Sequence, residues 1–186
     1  MKNIQCIALD FDDTLVATRE RIIQVIRSYH PFVEFHPENK DWWDFQKVFP
    51  FLSQKEISKF IWEDKAKEIF DWEQIELINN ITSIRKFSFF CWSEDIKVII
   101  ATDNPFKDYI SEFFKNRLKI EDWTIFDKAT GIMNSQMVID DDPYLLPRID
   151  NKYVIRFHKE YNKHLWRIPA IIDLVDAIPL IKVANA

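Results

Sequence analysis

The stretch Ile4 to Val16, IQCIALDFDDTLV, constrains the fold more than any other. An apolar, partly β-branched run (Ile4, Cys6, Ile7, Ala8, Leu9) has the character of a buried strand. It breaks into Asp10-Phe11-Asp12-Asp13-Thr14, so carboxylates crowd the end of a segment that the core must cover. There they repel one another and lose hydration, a cost that a proton or a cation relieves. Alternate residues of a strand share a face, so Asp10 and Asp12 can converge on one metal or one substrate atom. The plain alternative is an acidic surface turn. A calcium loop of the EF-hand type is excluded: it needs Gly at its sixth position and Glu at its twelfth, where this chain, counted from Asp10, has Leu15 and Arg21.

A length of 186 residues suits one domain, or one core domain carrying a smaller inserted one. Gly131 is the only glycine, which argues against a glycine-rich phosphate loop. Any phosphate must then be held by metal, side chains and ordinary backbone amides. The net charge of −5 provides no general basic field for nucleic acid. Cys6 and Cys91 have no CxxC partner and read as buried or free thiols of a reducing compartment. No signal-peptide pattern precedes Asp10, and no run approaches the roughly 18 apolar residues of a membrane span. The expectation is a soluble cytoplasmic protein that engages no membrane.

After the first strand, apolar residues at helical spacing predict a helix over 18–28 with Thr18 as its N-cap. The aromatic-dense DWWDFQKVFP (41–50) suits a helical turn or loop, and Ser53-x-x-Glu56 is a capping box opening a helix over 53–70. A further helix is expected over 72–90. So long a helical excursion far exceeds an ordinary connection of about 6 residues. Strands follow at 97–104, 123–126, 136–142 and 153–157, with helices over 105–118 and 169–181 between and after them. This alternation predicts an α/β fold: a parallel, Rossmann-like sheet of about five strands covered by helices on both faces. Ligands of such sheets bind at the carboxyl ends of the strands. Asp10, Asp12, Thr102, Lys128, Asp140, Asp141 and Asp142 fall at those ends.

DFDDT followed by Leu-Val resembles the first motif, DxDx[T/V][L/V], of the haloacid dehalogenase (HAD) superfamily of phosphotransferases. Thr102, Lys128 and Ile139-Asp140-Asp141-Asp142 are similar in order and spacing to its second, third and fourth motifs. The resemblance implies an HAD-like core over 1–16 and 73–186, with a helical cap of the first type over 17–72. It also implies a Mg2+-dependent phosphomonoesterase. Asp10 would be the nucleophile that forms an aspartyl-phosphate, and Asp12 the general acid and then base. Thr102 would donate to a phosphoryl oxygen, while Lys128 offsets phosphoryl charge. Asp10 and Asp141 would hold the metal through side-chain oxygens and Asp12 through its carbonyl, with Asp140 orienting that set or Lys128. The presence of Asp12 favours phosphoryl transfer over dehalogenation, since a leaving alcohol needs a proton and halide does not.

The chain is similar to the 5'(3')-deoxyribonucleotidase branch at DWWDFQKVFP, at Asp127-Lys128, and at RFHKEYN (156–162) with the later Trp166-Arg167. It departs from that branch at Asp13, where a small residue or glycine is usual, and at Asp103, where Thr102 is usually followed by Ser. This resemblance implies a small phosphorylated substrate, a nucleoside monophosphate, met by Asp103 and by aromatic faces at Trp42, Trp43 and Phe45. Cap-core packing is the alternative for those aromatics. Lys152, Arg156, Lys159, Lys163 and Arg167 form a solvated edge, or else a field that steers a phosphorylated substrate. Rival functions are a phosphatase of polynucleotide 3' ends, a phospho-accepting signalling module and a non-catalytic binder. Receiver domains lack a helical insertion after the first strand and phosphorylate a later strand.

Overall fold

The computed structural model describes residues 3–36, 44–71 and 73–186. The first strand, β1 (Cys6–Leu9), is buried along its whole length at the centre of a six-stranded sheet. Around it lie β2 (Lys97–Ala101), β3 (Thr124–Phe126), β4 (Met137–Asp140), β5 (Tyr153–Phe157) and β6 (Ala170–Ile171). The order is β3-β2-β1-β4-β5-β6, and every pairing is parallel. The register of Ile7 against Val98 and Met137 brings the ends of β1, β2 and β4 level. Chain order reverses direction across β1, so a crevice opens at the carboxyl ends beside it.

The two-residue period of the strands sorts the core. Ile7, Leu9, Val98, Ile100, Met137 and Ile139 join the large cluster on one face, with Ile84 and Phe87 of α5 (Ile81–Ser93). Ala8, Ala101 and Val138 form a thinner layer on the other. The small side chains there admit a short helix that opens at Lys128. It can lie close because it presents Gly131: a Cβ at that position would sit 2.6 Å from the Cβ of Ala101.

A second hydrophobic cluster stands apart from the sheet. It is built from α1 (Thr18–Tyr29), α2 (Phe45–Val48), α3 (Gln54–Lys59), a π-helical turn over Phe60–Asp64, and α4 (Ala66–Ile69). Phe106, just before α6 (Lys107–Glu112), and Tyr109, within it, pack against this cluster. The chain passes between the two clusters along paired segments: Ala17 N–H donates to Glu76 O at 2.8 Å and Ile78 N–H to Leu15 O at 3.0 Å. Val16 and Leu77 form an antiparallel bridge between them.

The sequence expectations hold for the strand positions and for the Ser53–Glu56 capping box, and differ elsewhere for identifiable reasons. Thr18 does not cap α1: Ala17 stands at the N-cap position with no side-chain cap, and the Thr18 hydroxyl donates to Asp12. The helix expected from 72 begins only at Ile81, where Asn80 caps it by accepting from Thr82 N–H. The helix expected over 169–181 is a sixth strand, then a turn, then α8 (Ala177–Asn185). Short apolar runs such as Pro169 to Ile172 do not distinguish strand from helix by period. Here the edge of β5 decides: Arg156 N–H donates to Pro169 O and His158 N–H to Ile171 O.

Candidate active site

The crevice beside β1 collects side chains from separate strand ends. Asp10 is 4% exposed, and its N–H donates to Ile139 O at 2.9 Å, which ties the end of β1 to β4. Lys128 opens the helix α7 (Lys128–Met133), and Asp127 caps that helix by accepting from Thr130 N–H. From there the Lys128 ammonium reaches Asp10 Oδ1 and Asp140 Oδ2, at 3.0 Å each. Asp141 accepts from the Thr14 hydroxyl on Oδ1 at 3.1 Å and from the Tyr161 hydroxyl on Oδ2. Carboxylate oxygens of Asp10, Asp140 and Asp141 lie within 4.8 Å of one another. The third acid of the run closes a turn: Asp142 Oδ1 accepts from Tyr144 and Leu145 N–H.

Asp12 lines the same crevice, outside the group of Asp10, Asp140 and Asp141. Its carboxylate accepts from the hydroxyls of Thr18 (2.6 Å) and Thr102 (3.3 Å) and from Asn104 Nδ2 (3.2 Å). Asp13 holds a left-handed backbone, φ 59°, and its Oδ1 accepts from Arg19 N–H at 3.0 Å. Most side chains resist that conformation, while Gly, Asn and Asp adopt it most readily. An aspartate at position 13 suits this backbone.

Charge at the site is unbalanced. Burial pushes the proton affinities of Asp10, Asp140 and Asp141 upward, and the neighbouring carboxylates add to this while Lys128 opposes it. Asp12 is raised by burial too, against the opposing hydrogen bonds from Thr18, Asn104 and Thr102. Burial alone would lower the pKa of Lys128, but Asp10 and Asp140 outweigh it and keep the ammonium protonated. Three close acids against one lysine leave surplus negative charge on hard oxygen donors. That donor set fits a divalent cation such as magnesium.

A cleft of about 210 Å³ opens onto these groups. Asp10, Asp12, Thr102, Asp103, Lys128 and Asp141 all line it. Asp103 is at its exposed rim. Trp42 and Trp43 lie outside the described residues. The expectation for Phe45 is corrected: it is 3% exposed and packed inside the second cluster, where no substrate can reach its ring. Among the described residues, the aromatic that lines the cleft is Trp62, on the π-helical turn, stacked on Phe70 (5.5 Å, 15°) and on Phe106 (6.2 Å, 23°). The solvated basic edge is corrected at Arg156, which is buried and bonded to Asn162.

Sequence reasoning missed Thr14, Thr18, Asn104 and Tyr161 as partners of the acids. Thr14 and Thr18 were visible as hydroxyls flanking the acidic turn, and Asn104 as an amide two places beyond Thr102. Tyr161 stood inside the segment 156–162 marked by resemblance, but nothing local pointed to Asp141, which it reaches only through tertiary folding.

No protein-family model and no curated protein matches the chain. Its structure does resemble solved ones. CbbY from Rhodobacter sphaeroides in complex with phosphate has TM-score 0.60 and 12% identity, over 94% of this chain and 96% of that one. A β-phosphoglucomutase from Clostridium difficile has TM-score 0.65 and 14% identity, over 98% and 97%. A HAD-superfamily hydrolase from Ehrlichia chaffeensis has TM-score 0.55 and 12% identity, over 100% of both chains. At these identities the likeness shows a shared fold, the Rossmann-like α/β fold of the HAD superfamily.

Proposed function

We propose that the chain is a magnesium-dependent phosphatase of small phosphate esters, and that Asp10 is its nucleophile. The observation that carries this reading is the convergence of Asp10 with Lys128, Asp140 and Asp141 at one end of the sheet, with Asp12 alongside. An Asp10 carboxylate oxygen attacks phosphorus while the bond from phosphorus to the leaving oxygen breaks. Asp12 gives its proton to that oxygen. Its raised proton affinity, caused by burial, favours the protonated form that this step needs. In the second half, Asp12 takes a proton from water, the water oxygen bonds to phosphorus, and the aspartyl-phosphate bond breaks to regenerate Asp10. The 3.3 Å bond from Thr102 to Asp12 is weak enough for the hydroxyl to turn to a phosphoryl oxygen, and Lys128 offsets phosphoryl charge. Asp10 and Asp141, with Asp140 and the Asp12 carbonyl beside them, are the groups that would hold magnesium. Bound there, the cation lets an anionic carboxylate approach an anionic phosphate.

On the same reading, the second cluster is a cap over the cleft, and the substrate carries a flat leaving group. A nucleoside monophosphate meets that description. The support is Trp62, whose ring lines the cleft and stacks on both Phe70 and Phe106. Bases stack on any such face. Phosphate release is to be measured from p-nitrophenyl phosphate, nucleoside 5'- and 3'-monophosphates, sugar phosphates and a 3'-phosphorylated oligonucleotide. Release should require magnesium and be lost in Asp10→Asn; turnover by Asp10→Asn would reject the mechanism. Equal or faster release from sugar phosphates than from every nucleotide would reject the flat leaving group. In that case the substrate class is the one suggested by the CbbY complex with xylulose-(1,5)bisphosphate.

A further inference from the structure

Asp141 is 2% exposed and is held from several directions. Thr14, from the acidic turn, donates to Oδ1 at 3.1 Å. Tyr161, in the turn Glu160–Asn162 after β5, donates its hydroxyl to Oδ2. Its neighbour Asn162, wholly buried, donates Nδ2 to the backbone oxygen of Asp141 at 2.8 Å and to Phe157 O at 2.9 Å. Asn162 Oδ1 in turn accepts from Lys159 N–H at 2.9 Å and from Arg156 Nη1 at 3.0 Å. The amide of Asn162 thus bonds to β5, to its own turn and to the acidic loop together. With the turn so fixed, Tyr161 has little freedom to move away from Asp141.

A carboxylate has about four lone-pair directions. Two of these at Asp141 are taken by hydroxyl protons, one on each oxygen, so the remaining pair faces a set direction. We propose that Tyr161, with Thr14 opposite it, is a positioning residue that orients Asp141 toward a divalent cation shared with Asp10. The inference rests on the reading of the site as a cation-dependent phosphatase. Hydrogen bonds to a metal-ligating group commonly govern affinity by tenfold or more, because they remove the cost of arranging the ligand at the moment of binding.

The test is calorimetric titration of the full chain with magnesium chloride, comparing the unmodified protein with Tyr161→Phe and Thr14→Val. Tyr161→Phe should bind magnesium about tenfold more weakly and show a smaller magnesium-induced rise in Tm. With p-nitrophenyl phosphate, its magnesium activation constant should rise by more than its turnover at saturating magnesium falls. Unchanged or tighter magnesium binding overturns the proposal, as does a loss of turnover with an unchanged binding constant. Should Tyr161→Phe fail to fold, Thr14→Val removes the opposite donor, and the same weakening is expected; unchanged binding there overturns the proposal equally. An unmodified protein that binds no magnesium would instead remove the phosphatase reading on which the inference stands.

Discussion

Asp141 and Phe49 are both sealed from solvent, at 2% and 0% exposure, but by different means. Asp141 accepts directed hydrogen bonds from Thr14, Tyr161 and Asn162, each with its own angle and length. Phe49 is held by shape alone, against the Phe35 ring at 5.4 Å and the apolar walls of the second cluster. Directed bonds fix a side chain's orientation, and an isosteric change that deletes one donor leaves a buried acceptor unmet. Apolar packing fixes volume and tolerates exchange between side chains of similar size. The cleft lies where these two kinds of order meet: the strand ends specify positions for chemistry, and the second cluster contributes a surface through Trp62.

The comparison can be broken most severely at its apolar pole. Phe49→Ala should cost about 3–5 kcal/mol by emptying a fully buried aromatic site, read as a lower urea midpoint, while the folded fraction still binds magnesium. Loss of magnesium binding in the folded variant would show that the two regions are not independent. At the polar pole, Lys128→Met removes the cation shared by Asp10 and Asp140. Turnover should fall by about 10²–10³-fold, the usual scale for deleting one preorganised charge-stabilising group, as measured at saturating substrate. Gly131→Ala sharpens the boundary between the poles, since it forces a methyl group to within 2.6 Å of Ala101 and pushes the helix bearing Lys128 off the sheet. It should cost about 1–3 kcal/mol in denaturation and also lower turnover. The smallest effect is expected for Trp62→Ala: KM for a nucleoside monophosphate should rise about tenfold, the low end of base–aromatic stacking, with little change for a sugar phosphate.

What could be seen in the sequence follows the same division. The acid-bearing strand ends were legible because burial on both faces writes a continuous apolar run, and Asp10 and Asp140 interrupt those runs abruptly. Lys128 and Thr102 were legible by order along the chain. The second cluster was less so. Phe45 lies in a segment whose aromatics carry no mark to separate a ring that packs inward from one that meets a ligand, and Trp62 reaches the cleft through a π-helical turn that helical periodicity does not foresee. The bond from Tyr161 to Asp141 escaped notice for a related reason. The two residues lie 20 apart in sequence and meet only once β4 and β5 are paired. The sixth strand was hidden because a two-residue element is specified by its neighbour's free edge more than by its own residues.

The stitched crossing at Val16 and Leu77 bears on how such a molecule can be remodelled. The excursion that carries α1 to α4 departs from and returns to a single seam, so its two ends are neighbours in the folded chain. A short reverse turn spliced across that seam would excise the whole excursion without cutting a strand of the sheet. By the same geometry, an unrelated insert with adjacent termini could be grafted there. The seam therefore acts as a socket, at which the excursion can be exchanged while the strand ends that carry the acids stay as they are.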